Sequence, residues 1–230
     1  MRPPGPLLAS GREADIFEYG PNLVLRRSRA GRSMATEART MGYLHAQGFP
    51  VPAVDEISED GADLVMERIR GVPMLEALAR APWALKRQAS TLAGLHRDLH
   101  GVAPPDFLAP APLGQGGRVL HLDLHPLNVI VTPKGPVVID WTGACIGDPS
   151  TDVALAWAVM SAAEIPGGGT RAKVLGWGRS MFVDGFVSHF ARDQVAGQLR
   201  AAVEWKAADP NMSAQEVRAM WRLVEGEASI

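Results

Sequence analysis

The segment from residue 119 to residue 140 constrains this chain more than any other part of its sequence. It reads VLHLDLHPLNVIVTPKGPVVID, in which Asp123 follows one strand-like apolar run, Asn128 begins a second run and Asp140 follows a third. A carboxylate beside a buried apolar segment is unfavourable unless it is paired, hydrogen-bonded or bound to a metal. The segment therefore predicts a polar site built at the ends of short strands.

Phosphoryl transfer is a reaction that needs these residue types at this spacing. A carboxylate orients the acceptor hydroxyl and takes its proton, and oxygen ligands hold Mg²⁺ on the nucleotide phosphates. The pattern H-x-D-x-x-x-x-N, followed by a strand and a second Asp, is typical of the catalytic and metal loops of kinases. We expect Asp123 to be the catalytic base, and Asn128 and Asp140 to be the metal ligands.

Two motifs in this region resemble the aminoglycoside phosphotransferase and choline kinase-like family. They are His121-Leu122-Asp123-Leu124-His125-Pro126-Leu127-Asn128 and Val138-Ile139-Asp140-Trp141, and the stretch Ile146-Gly147-Asp148-Pro149 with Asp152 also matches. The resemblance implies a protein kinase-like fold, ATP or GTP with Mg²⁺ as cofactors, and a small molecule with a hydroxyl group as the acceptor.

The resemblance also implies supporting roles for neighbouring residues. His121 is expected to brace the loop by hydrogen bonding, whereas the role of His125 stays open between phosphate, substrate and backbone. Asp148 and Asp152 are expected to brace the loop or to cap the following helix. The alternative is that the carboxylates are turn residues that cap strands, but their joint spacing favours the kinase site.

The order of predicted elements indicates an α+β chain with two lobes. Residues 1–70 read as short strands broken by turns, with one helix of apolar residues at helical spacing from Ser33 to Gly48. Residues 71–230 are mainly helical, including long helices at 82–101 and from Thr151 onward. We therefore expect a small antiparallel nucleotide-binding lobe, and a larger catalytic and substrate-binding lobe.

The nucleotide phosphates need a cationic side chain on the third strand and a Glu on the helix beside it. The strand LVLRR contains no Lys, so Arg26 is the expected phosphate contact and Val24, on the same strand face, the residue over the adenine. Glu37 shares the apolar face of the predicted helix and is the natural partner of Arg26. The alternative is that Arg26 and Glu37 are ordinary surface residues.

The phosphate-covering loop and the hinge carry weaker signals. The loop SGREADIF contains a single glycine, Gly11, and the backbone amides of residues 10–14 are its candidate phosphate donors. By position in the family order, Met66 to Ile69 should form the hinge, with Glu67 and Ile69 bonding the adenine edge through their backbone.

Composition restricts the partners. The net charge of −2 over 230 residues argues against binding to nucleic acid or to a membrane surface through bulk charge. The single cysteine fits a reducing compartment, and the chain has neither a signal-like N-terminus nor a long apolar run, so we expect a cytoplasmic protein.

The acceptor itself is not identified by the sequence. Beyond Leu155 the acidic and basic residues balance, eight against eight, which gives no support to a strongly cationic substrate. Four tryptophans in this region could line a pocket or stack on a cation, but their helical spacing favours the core: Trp157, Trp177, Trp205 and Trp221.

Two alternatives to a small-molecule kinase remain. A nucleotide-binding regulatory module that has lost catalysis would explain the sparse glycine loop and the Arg in place of Lys. A protein Ser/Thr kinase is less favoured, because no long activation loop separates Asp140 from the helix near Asp152.

Overall fold

The N-terminal part of the molecule is an antiparallel sheet with one helix packed on it. The computed structural model describes residues 1–11, 13–164 and 169–228. The strands lie in the order β1-β2-β3-β5-β4 and are β1 (Leu7–Ser10), β2 (Ala14–Glu18), β3 (Leu23–Ser28), β4 (Val54–Ile57) and β5 (Asp63–Glu67). The predicted hairpin corresponds to β2 and β3, which pair from Ala14 opposite Ser28 to Glu18 opposite Val24.

Helix α1 (Ala35–Ala46) is inserted between β3 and β4 and packs through its apolar face. Met41 and Leu44 are buried with Leu64 of β5, as their three-residue spacing predicts. The helix ends where Gly48 was expected to stop it. Gly48 has φ +79°, a left-handed conformation that glycine adopts without strain.

The connection between the two parts of the molecule is short. Strand β5 ends at Glu67, and β6 (Val72–Pro73) begins four residues later, pairing with β8 (Val129–Thr132). A side chain at Gly71 would lie 2.4 Å from the carbonyl oxygen of Val131, so the chain passes too close to β8 for any other residue. The connection is thereby fixed against the strands of the predicted site.

The strands of the predicted site form two small sheets. Strand β8 pairs with β9 (Gly135–Val138), and β7 (Arg118–Leu120) pairs with β10 (Cys145–Gly147), a strand that the sequence did not predict. The loop that carries Asp123 and Asn128 joins β7 to β8, and Asp140 follows β9. All three predicted reactive residues therefore lie at strand ends.

Helices make up the rest of the molecule. They are α2 (Met74–Arg80), α3 (Leu85–Gly101), α4 (Pro149–Ala162), α5 (Gly169–Val187), α6 (Arg192–Ala207) and α7 (Ala214–Glu227). The helix predicted from Pro82 begins instead as a 3₁₀ turn, Pro82–Ala84, before α3. Helix α4 is buried along almost its whole length and is surrounded by α5, α6 and α7.

This arrangement confirms the predicted α+β, two-lobed kinase-like fold. One hydrophobic cluster runs through both parts, from Leu44 of α1 to Leu92 of α3 and Leu155 of α4. The exact division of the chain at residues 70 and 71 stays a prediction.

The prediction that all four C-terminal tryptophans are core residues was only partly right. Trp157 on α4 is buried, but the side chain of Trp177 on α5 is 67% exposed and Trp205 on α6 is also exposed. Helix α5 has apolar residues on all sides, so its periodicity did not distinguish the buried face from the exposed one.

None of the described helices combines the length and the apolarity that are needed to cross a membrane. The one cysteine, Cys145, is a buried free thiol on β10. Burial, with the nearby charge of Asp152, raises the pKa of this thiol to about 12.

Candidate active site

The loop between β7 and β8 is held in place by a buried carboxylate on α4. Asp152, in the first turn of α4, accepts hydrogen bonds from the backbone N–H groups of His121 (3.2 Å) and Leu122 (2.7 Å). Leu122 has φ +62°, a strained conformation for a residue with a Cβ, and its hydrogen bond to Asp152 holds it there. The backbone that leads into Asp123 is thus fixed.

Two histidines of α3 complete the surroundings of Asp152. His100 donates to its Oδ2 at 3.0 Å, and His96 donates from Nε2 to the carbonyl of Leu124 at 3.1 Å. Burial opposes ionisation of Asp152, but the hydrogen bond from His100 and the charges of the nearby histidines lower its pKa well below the usual range. The anchor of the loop is therefore a buried carboxylate that stays ionised.

His121 is the brace that the resemblance implied. Its ring is fully buried, donates from Nε2 to the carbonyl of Ile139 at 3.1 Å and accepts from the N–H of Asp123 at 3.2 Å. Its ring centroid lies 4.6 Å from that of Trp141. His121 consequently ties the loop of Asp123 to the segment that carries Asp140. Asp148 is the N-cap of α4 and accepts from the N–H of Ser150.

The carboxylate of Asp123 has different partners on its two oxygens. Oδ2 receives hydrogen bonds from the amide of Asn128 at 3.0 Å and from His125 at 3.4 Å, while Oδ1 faces the ammonium group of Lys206 at 3.4 Å. Partial burial would raise the pKa of Asp123, but the hydrogen bond and charge of His125, followed by the charge of Lys206, lower it to about 2. The group is ionised at neutral pH and can accept a hydroxyl hydrogen bond.

Asn128 and Asp140 form an oxygen donor set that fits Mg²⁺. The Asn128 amide nitrogen donates to the backbone oxygen of Asp123 at 2.8 Å as well as to its carboxylate, which leaves the amide oxygen for a cation. The backbone N–H of Ile139 donates to the carbonyl of Asn128 at 3.0 Å and so holds Asp140 close by. An amide oxygen and a carboxylate are the hard ligands that Mg²⁺ prefers.

Asp123 and Asp140 are not buried carboxylates, contrary to what their apolar flanks suggested. Their side chains are 37% and 44% exposed, so both face open space at the strand ends. The carboxylates buried in the protein are Glu37 and Asp152, and both have hydrogen-bond partners. The buried groups therefore position the site, and the exposed ones can meet ligands.

Arg26 and Glu37 are brought together as the helix and strand patterns predicted. The guanidinium of Arg26 contacts Oε1 of Glu37 and lies 3.4 Å from Oδ1 of Asp140. Glu37 also accepts from the backbone N–H of Trp141 at 3.2 Å. Burial, only partly offset by the charge of Arg26, raises the pKa of Glu37. One buried carboxylate thus connects β3, α1 and the metal-ligand segment.

The hinge and the phosphate loop lie where the family order placed them. Val24 is buried on β3, and Ile69 follows the end of β5 with a backbone N–H that has no hydrogen-bond partner among the described residues. The backbone N–H of Glu67 is bonded to the carbonyl of Ala53. The N–H of Gly11 bonds to the carbonyl of Ala14 at 2.9 Å, and residue 12 of this loop lies outside the described residues.

Sequence reasoning missed several residues that shape this site. Lys206 lies 83 positions after Asp123 in the chain, and nothing in the spacing of α6 indicates which side chain reaches the loop. His100 carried a signal, because the i, i+4 spacing of His96 and His100 places both on one face of α3.

Comparison with known proteins agrees with this geometry. A model of the phosphotransferase enzyme family matches residues 6–113 and 105–197. No match was found among curated proteins.

Solved structures with the same fold include several kinases. A choline/ethanolamine kinase family protein from Mesorhizobium loti is 16% identical with a TM-score of 0.60, covering 98% of this chain and 89% of its own. An aminoglycoside-3'-phosphotransferase of type VIII is 20% identical with a TM-score of 0.56, covering 96% and 91%. Choline kinase LicA from Streptococcus pneumoniae is 15% identical with a TM-score of 0.53, covering 98% and 93%.

These likenesses show the fold, and the family model extends over most of the sequence, through both parts of the molecule and the whole of the candidate site. The chain belongs to the phosphotransferase enzyme family.

Proposed function

We propose that this protein is an ATP-dependent small-molecule O-phosphotransferase, which moves the γ-phosphoryl group of the nucleotide to a hydroxyl of its acceptor. The observation that carries the proposal is the meeting of two ligand sets at one point. Arg26, linked to Glu37, reaches Asp140, while Asn128 holds the carboxylate of Asp123. A nucleotide phosphate and an acceptor hydroxyl would each find their partners there.

The residues divide the reaction between them. Asp123 accepts the hydrogen bond of the acceptor hydroxyl and takes its proton as the hydroxyl oxygen forms a bond to the γ-phosphorus. The bond from that phosphorus to the bridging oxygen breaks, and ADP leaves with the bonding electron pair. Arg26 binds the nucleotide phosphates, and Glu37 orients it. Bound through Asn128 and Asp140, Mg²⁺ would supply positive charge to the phosphate oxygens.

The named relatives support a small acceptor, since choline kinase and aminoglycoside phosphotransferase are among them. The exposed carboxylate of Asp123 at the edge of the helical region suits a diffusible hydroxyl compound. We further propose a cytoplasmic location, where ATP is available and a single thiol stays reduced.

A catalytically inactive nucleotide-binding module is the second candidate. One observation favours it: the N–H of Gly11 is bonded to Ala14 rather than free for a phosphate. The two candidates differ in whether bound nucleotide is turned over.

The deciding experiment is thermal unfolding with Mg²⁺-ATP and with Mg²⁺-GTP, run beside slow nucleotide hydrolysis. A nucleotide at 100 times its Kd should stabilise the fold by about 2.7 kcal/mol. Asp140→Ala should remove the Mg²⁺-dependent part of this shift, while the exposed Asp106→Ala should keep it. A shift with turnover supports the kinase, a shift without turnover in the presence of candidate alcohols supports the regulatory module, and no shift contradicts both.

A further inference from the structure

Helix α6 delivers a positive charge to the candidate catalytic base. The ammonium nitrogen of Lys206, in the last turn of α6, lies 3.4 Å from Oδ1 of Asp123. His125 and Asn128 contact the other oxygen, Oδ2, so Lys206 has one side of the carboxylate to itself among the described residues. That side faces the helical region that follows α4.

The contact differs from an ordinary surface ion pair. The side chain of Lys206 is 13% exposed, and its ammonium group is shared between Asp123 and Asp209, which lies 3.2 Å away. Asp209 alone would satisfy the charge of Lys206 as an i, i+3 pair at the end of the helix. A lysine that also reaches Asp123 gives up side-chain freedom for a longer contact of 3.4 Å, so the position calls for a reason besides stability.

Phosphoryl transfer supplies that reason. In the transition state negative charge is spread over three equatorial oxygens of the moving group, and the protein stabilises it with fixed positive charges. On the nucleotide side Arg26 provides such a charge. On the side of the acceptor, where the new bond forms beside Asp123, Lys206 is the nearest cation among the described residues with a full-time charge.

Resting on the proposed function, we propose that Lys206 is a further catalytic residue, whose ammonium group contacts the phosphoryl group while it moves to the acceptor hydroxyl. Before the acceptor binds, Lys206 occupies Oδ1 of Asp123. When the hydroxyl takes its place at that oxygen, the ammonium group turns to the equatorial phosphoryl oxygens. The step adds no proton transfer: Asp123 takes the hydroxyl proton, and Lys206 stays protonated throughout.

The test is binding of Mg²⁺-ADP with and without aluminium fluoride, which mimics the phosphoryl group in transfer. Calorimetry on the purified full chain gives the Kd in both conditions, and phosphate release from Mg²⁺-ATP gives the rate with water as acceptor. We expect Lys206→Met to bind Mg²⁺-ADP as the unchanged protein does, but to lose about 10²-fold of the fluoride-dependent tightening and of the hydrolysis rate. Lys206→Arg should restore most of both.

Two comparison variants separate catalysis from folding. The exposed Lys86→Met, at the start of α3, should change neither quantity. Asp209→Asn removes the structural partner of Lys206; if the lysine only anchors α6, Asp209→Asn and Lys206→Met will lose stability alike and both will keep the fluoride-dependent tightening. Full tightening in Lys206→Met overturns the inference and leaves the proposed function intact. A parent protein that binds no Mg²⁺-ADP contradicts the proposed function, and the inference falls with it.

Discussion

Individual side chains divide between groups that can meet ligands and groups that hold them. Asp123 and Asp140 face open space, whereas Glu37 and Asp152 are buried and fix the backbone and the guanidinium beside them. The sequence predicted Asp123 and Asn128 because their spacing within one loop is local. It did not predict Lys206, because that contact depends on how α6 packs against α4.

Asp123→Asn tests the role of the base. The amide keeps the shape of the side chain and its contact with Asn128, but it cannot take a proton. We expect phosphoryl transfer or background hydrolysis to fall by at least about 10²-fold, a typical contribution of a general base, with the affinity for Mg²⁺-nucleotide unchanged. Equal loss of binding and turnover would place Asp123 in nucleotide binding instead.

Neighbouring arginines on β3 provide a matched pair. Arg26 is 12% exposed and contacts Glu37, whereas Arg27, on the opposite face, pairs with Asp63 and is 44% exposed. Arg26→Ala should weaken nucleotide binding about 10-fold or more, as loss of a charge-assisted contact does. Arg27→Ala should leave binding within about twofold, since exposed ion pairs contribute little. Titration calorimetry measures both, and the reverse order would refute the assignment of the strand face.

Elements of this molecule were predicted as far as their signals are local. Helix α1 and the hairpin of β2 and β3 followed from periodicity and turn residues. Strand β10 was missed, because a three-residue strand that contains a glycine has no periodicity of its own. The exposure of Trp177 on α5 was missed because an apolar helix does not reveal which neighbour covers it.

The link between α4 and the catalytic loop is the element-level feature that we expect to matter most. Asp152→Asn keeps the volume but removes the charge to which His100 and two backbone N–H groups donate. Breaking a buried charged network costs about 3–5 kcal/mol, and turnover should fall with it because Leu122 would relax.

Asp148→Ala is the control for this prediction. It removes the N-cap of the same helix, which costs about 1 kcal/mol, without contact with the loop. Chemical denaturation and hydrolysis rates compare the two variants. If Asp148→Ala lowers turnover as much as Asp152→Asn, the anchoring role is wrong.

The whole molecule carries a titration that its composition does not reveal. His96 is fully buried, and burial lowers its pKa to about 4; Asp152 opposes the shift, while His100 and His121 add to it. Because Nε2 donates to Leu124, the Nδ1 atom is unprotonated, and it is buried without a partner. The folded protein therefore excludes a proton that the unfolded chain binds below a pH of about 6.5.

Stability should consequently fall as the pH decreases from about 6.5 to about 4, by up to about 1.4 kcal/mol per pH unit from His96 alone. Protonation of Asp152, whose pKa is lowered, adds its loss only at lower pH, below about 4. Denaturation across this range should show a smaller slope for His96→Gln, which can still donate to Leu124. The exposed His45→Gln should keep the parent slope. An unchanged slope in His96→Gln would contradict the prediction.

The state of Cys145 makes this chain suitable for fluorescent labelling. Thiol reagents attack the thiolate, and a buried thiol with a pKa of about 12 offers almost none at neutral pH. New cysteines on exposed positions of β3 and α6 would take up dyes while Cys145 stays in place. Energy transfer between two such dyes would then report, in one molecule at a time, how the distance between the sheet and the acceptor-side helix changes when a nucleotide binds.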